Sequence, residues 1–277
     1  MRGVTGILSF IALFCAGAAS AAPGVEIEHA AARVTVIPEA RSDISVTVVH
    51  ANPRLPLKVT RVGDRVIIDG GLGWRSPNCH QLLGHPSVSI WLMGDFGWDS
   101  LPQVVIRTPR GVHVASGGAV FGVINAGDSI DLASSGCGDW SVADQSGPLR
   151  VHLSGSGDVH AGSAASADLA LSGSSNFTMK SARGGLSAAI SGSGDVTAAS
   201  VNGPLRAQIA GSGDIAVHDG TVGDMDVAVS GSGNVHFGGV ARSLEARVSG
   251  SGDVSVARVT GPVAKHVTGS GDISIGR

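Results

Sequence analysis

From about residue 109 to the end of the chain, apolar residues alternate with small or polar ones in short runs, and the runs recur every 18 to 20 residues. Each repeat carries a variant of Ser-Gly-Ser-Gly-Asp, closed by Asp139, Asp158, Asn176, Asp195, Asp214, Asn234, Asp253 or Asp272. One place after that residue stands Trp140, Val159, Phe177, Val196, Ile215, Val235, Val254 or Ile273. Three places after it stands Val142, Ala161, Met179, Ala198, Val217, Phe237, Val256 or Ile275, and from the second copy five places before it stands Leu153, Leu171, Ile190, Ile209, Val229, Val248 or Val267. Period-2 alternation on both sides of a glycine-rich corner predicts short strands with one buried face. Gly147-Pro148, Gly203-Pro204 and Gly261-Pro262 mark a second corner. Strands and corners repeating every 19 residues or so predict an all-β fold: a parallel β-helix, taken as right-handed, whose coils stack about 4.8 Å apart. No amphipathic pattern long enough for a helix follows the N-terminal segment.

Residues 22–108 hold no clean copy of the phrase, yet six runs read as strands: 33–37, 44–50, 57–62, 65–69, 88–92 and 104–107. Gly63-Asp64 between Val62 and Arg65 fits a tight hairpin. The expected organisation is a signal peptide over 1–21, a β-rich capping region over 22–108 and a β-helix over 109–277. A cap is expected because an open solenoid end exposes apolar residues and unpaired strand edges. At the other end Lys265 takes an inward position, which suits a coil at the mouth with its ammonium reaching water.

Composition sharpens this picture. The 277 residues include 42 glycines, with 43% hydrophobic and only 15% charged. Many tight turns around a real core account for that, and disorder does not. A net charge of −3 gives no reason to expect nucleic acid as a partner. Arg2, the apolar run 7–16 and Ala19-Ser20-Ala21 read as a secretory signal, so an exported protein of the periplasm, cell surface or medium is expected. No later apolar segment is long enough to span a bilayer.

Export leaves two cysteines, Cys79 and Cys137, and an oxidising compartment predicts one disulfide between them. The acid ladder admits two readings. Stacked carboxylates about 5 Å apart repel, and Ca²⁺ would neutralise them as in calcium-binding β-rolls. Alternatively each Asp or Asn accepts hydrogen bonds from turn amides, which Asn does equally well. The second is preferred, so the ladder is read as a structural turn and no metal or cofactor is expected. Gly-Ser-Gly precedes strands where a phosphate loop needs a helix. Gly127-Asp128-Ser129-Ile130 lacks the Asp-x-x-His that its esterase reading requires, so no catalytic residue is assigned. Cys79-His80 with His85 lacks a second zinc-ligand pair. His152, His160 and His236 fall on outward positions. All four tryptophans, Trp74, Trp91, Trp98 and Trp140, lie in or beside the disulfide region, which makes that neighbourhood the candidate ligand site.

The succession of SGSGD-Val phrases after a strand-rich segment resembles the head-GIN domain family of bacterial putative adhesins, over about 109 to 277. The resemblance implies an exported β-helix. The function expected is a non-enzymatic envelope or surface module that binds protein or glycan macromolecules. A carbohydrate-binding or carbohydrate-active β-helix and a calcium-stabilised assembly are the alternatives.

Overall fold

The computed structural model describes residues 23–73, 75–82 and 85–276. The signal segment and Trp74 lie outside the described residues. Nine strands lead into the repeats: β1 (Gly24–Glu39), β2 (Ser45–His50), β3 (Lys58–Val62), β4 (Arg65–Asp69), β5 (Pro77–Leu82), β6 (His85–Ile90), β7 (Gly94–Gly97), β8 (Gln103–Pro109) and β9 (Gly111–Ile124). From β9 onward each strand pairs in parallel with its counterpart one repeat later, through to Ile273–Ile275. The result is a β-solenoid.

Its inward columns interlock by alternating size. The column after the corner runs Gly122, Trp140, Val159, Phe177, Val196, Ile215. Trp140, Phe177 and Phe237 are fully buried. A Cβ on Gly122 would sit 2.1 Å from the Trp140 ring, so a glycine is what leaves room for the indole. Complete burial of each Val, Leu or Ile in these columns stabilises by about 1.5–3 kcal/mol.

The sequence reading starts the solenoid near Pro109, whereas the pairings carry it back to Gly24. β1 lies between β8 and β9, parallel to both, although β8 and β9 adjoin in the chain. Beyond β1 the outermost coil is formed by β4 and β8. β1 lacks a Gly-Ser corner and turns at a bulge instead. Its register with β9 shifts between Ile27 and Ala30, and His29 takes a φ of 48°. Ending the stack falls to β2 and β3, which pair antiparallel with β8 and β4. Val62 and Arg65 pair across Gly63-Asp64, where Gly63 has a φ of 60°. At the far end the 263–269 strand is exposed throughout. Lys265 stacks over inward Ala246, and its Nζ donates to the Ile273 carbonyl at 2.8 Å.

Candidate binding groove

At the repeated corner the Asp or Asn has its backbone carbonyl turned toward the preceding coil. It accepts there from the N–H of the residue that follows the preceding coil's acid: Trp140 N–H to Asp158 O at 2.8 Å, Val196 N–H to Asp214 O at 2.9 Å. The N–H of the same Asp then needs an acceptor of its own. The preceding coil's side chain supplies it. The N–H groups of Asp158, Asn176, Asp195, Asp214, Asn234, Asp253 and Asp272 each donate to the Oδ1 one repeat earlier, at 2.7–3.1 Å. Asn176 and Asn234 also donate from Nδ2 to Asp158 and Asp214, at 3.1 and 3.0 Å. Carboxylate and amide thus continue the backbone hydrogen bonding through a corner where the carbonyls face elsewhere. Among the described residues no group of three or more His, Cys, Asp or Glu is placed to hold a metal ion.

A second device sits at the cap. β5, β6 and β7 form a small antiparallel sheet, tied to the first Gly-Cys-Gly corner by the Cys79–Cys137 disulfide, with Cα atoms 5.6 Å apart. Under it lies a separate apolar cluster that includes Leu55, Leu72, Val88, Ile90, Phe96, Leu101 and Phe121. Trp98 packs edge-on to Phe121 at 5.4 Å and lies under the Arg33 guanidinium at 5.2 Å. The three described tryptophans therefore do not converge. Trp140 is fully buried inside the solenoid and offers no face to a ligand, Trp98 belongs to the cap cluster, and Trp91 is 59% exposed at the β6–β7 turn. Cys79 is committed to the disulfide and is no zinc ligand.

A concave feature lies elsewhere among the described residues. A groove of about 1570 Å³ runs along the outer wall beside the corner. Its floor is a column of paired residues, one per coil: Glu26, Ala115, Ala133, His152, Ala170, Ala189, Gln208, Ala228, Arg247 and His266. A parallel column of small hydroxyl residues flanks it, among them Ser135, Ser154, Ser172, Ser191, Ser230, Ser249 and Thr268. Gly73, Arg75, Ser76 and Pro77 meet it at the cap end. Two residues from the floor on the same face stands a charged column: Asp131, Arg150, Asp168, Ser187, Arg206, Asp226 and Glu245. Contacts cross between its coils, the His113 imidazole to the Asp131 carboxylate at 3.2 Å and an ion pair from Arg206 to Asp226 at 3.5 Å. Arg247 reaches over from the floor to Asp226 at 3.8 Å and to Glu245. Sequence reasoning tracked the inward positions of each repeat and missed this site, although His152 was placed outward. The available signal was the run of Ala at the outward place six residues before the corner acid.

The family model described as "Putative auto-transporter adhesin, head GIN domain" matches residues 102–219 and again 169–276. No curated protein matches this chain. Among solved structures, a putative lipid binding protein from Parabacteroides distasonis is similar with a TM-score of 0.50 and 15% identity, over 92% of this chain and 93% of that one. A putative adhesin from Bacteroides fragilis aligns over 92% of both chains at 15% identity, with a TM-score of 0.38.

Proposed function

The chain belongs to the family of the putative auto-transporter adhesin head GIN domain, and from that premise we propose that it is an exported, non-enzymatic β-solenoid serving as a rigid binding module at the cell envelope or surface. The observation that carries this reading is the uninterrupted groove along the outer wall. The floor residues from Glu26 to Arg247 are held in register by parallel pairing on both sides, and His266 by pairing on one, so a ligand meets a surface already ordered and loses less entropy on binding. The Cys79–Cys137 disulfide fits an oxidising compartment and supports export. Its partners under this reading are envelope or surface macromolecules.

Cell fractionation with thiol trapping, followed by titration of labelled protein onto isolated envelopes, tests the proposal. The expected outcome is an oxidised protein outside the cytoplasm that binds envelopes saturably. A cytoplasmic protein with both thiols free, or one with no saturable binding, would overturn it.

A further inference from the structure

Resting on the reading of a binding module, we infer that the groove takes a linear, uncharged polysaccharide lying along the solenoid axis, one sugar per coil. Length and width come first. From Ala115 to His266 the floor spans eight coil steps, about 38 Å at strand-pairing distance. The groove's volume of about 1570 Å³, spread over that length, admits a single extended chain and excludes a folded domain.

Periodicity then separates the candidate chains. The floor repeats at about 4.8 Å, close to the length of one pyranose in an extended glycan, so each coil can meet one sugar; an extended peptide advances about 3.3 Å per residue and presents a different part of its backbone to successive coils. An acyl chain has no use for a hydroxyl on nearly every coil, nor for polar side chains along the floor. Here Glu26, His152 and Gln208 recur every third coil, with two alanines between each, and Arg247 follows two coils on. The alanines let a sugar ring approach the sheet closely, while the Ser column and the spaced polar side chains supply its hydrogen bonds.

Charge decides the class of polysaccharide. Between Ala115 and Ala228 the floor carries no Asp, Glu, Lys or Arg. The adjacent column holds Asp131, Asp168, Asp226 and Glu245 against Arg150 and Arg206, and with Glu26, Glu28, Arg75 and Arg247, which also line the groove, negative charges exceed positive ones by two. That balance repels a uronic-acid or phosphate polymer and leaves an uncharged one unopposed.

The test is calorimetric titration of the oxidised protein with linear glucan and mannan oligosaccharides of graded length, alongside a uronic-acid oligomer, an extended peptide and a single-chain amphiphile. Affinity for one neutral series should rise with length and level off near the span of the groove. Ala189→Trp and Ala170→Leu, which fill the floor from outward positions, should each weaken binding about tenfold or more, while Thr178→Trp on another outward face should not. Thermal melts on all three confirm that the variants fold. No binding in any neutral series, binding untouched by both floor variants, or preference for the acidic polymer, peptide or amphiphile would each overturn the inference. If envelopes still bind the protein saturably in that case, the binding-module reading survives and only the ligand assignment falls.

Discussion

Replacing Gly231 with Ala should destabilise the protein by about 3 kcal/mol or more, lowering the melting temperature by roughly 10 °C. Two causes act together. Gly231 has a φ of 132°, which L side chains rarely adopt, and a Cβ there would sit 2.2 Å from the carbonyl oxygen of Gly211 on the preceding coil. Backbone cannot rotate away as a flexible side chain can. The coils would have to part, breaking the pairing that runs from Ala228 through Gly231 to the preceding coil. The same column of stacked glycines continues through Gly250 and Gly269, where an added Cβ would likewise sit 2.2 Å from the glycine oxygen beneath. Gly223→Ala is the matched control: its nearest neighbour would be the Arg242 guanidinium at 3.7 Å, and it should cost little. Urea titration of both variants checks the difference. Equal midpoints would mean that the corner glycines are not confined by stacking.

The second large effect should come from Cys79→Ser with Cys137→Ser. The bridge joins residues 58 apart, and closing such a loop contributes about 4 kcal/mol in the chain-entropy model. The loss should be local. The β5–β7 sheet rests on its own small cluster, separate from the solenoid core. In a stacked architecture stability passes mainly between neighbours. Hydrogen exchange should therefore accelerate across 77–97 and leave the pairing between the 215–231 and 235–250 strands protected. Because Pro77 and Cys137 line the cap end of the groove, loosening the sheet also loosens one end of the proposed binding surface. Uniform loss of protection along the whole chain would contradict this division.

The repeat was legible because inward residues at fixed offsets from Asp158 or Asp195 must be apolar, and a phrase held in register over eight copies leaves one class of fold. The disulfide was legible for a different reason: past the signal segment only Cys79 and Cys137 remain, and an oxidising compartment pairs them. The place of β1 was not. Chain order suggests that β8 runs directly into β9, and nothing in Glu28-His29-Ala30 signals a bulge that lets a strand from 24–39 lie between them. Trp140 shows the limit in another way. A tryptophan reads equally well as a ligand platform or a core residue, and only Gly122, eighteen residues earlier, reveals that the interior was opened to receive it. The groove stayed hidden because outward alanines such as Ala170 and Ala189 carry no chemistry singly. They acquire meaning when stacking sets them in one column.

We propose that the recurring acid belongs to the fold, its Oδ1 accepting the next coil's N–H, and that binding belongs to the wall beside it. A thermal melt of the variant carrying Asp158→Asn, Asp195→Asn, Asp214→Asn and Asp253→Asn, run in chelator and again in millimolar Ca²⁺, tests this most directly. Each Asn retains the acceptor and removes a stacked like charge, so the variant should melt cooperatively at or above the wild-type temperature, identically with and without Ca²⁺. A variant that fails to fold, or a wild type whose melting temperature falls on chelation and is restored by Ca²⁺, would contradict it.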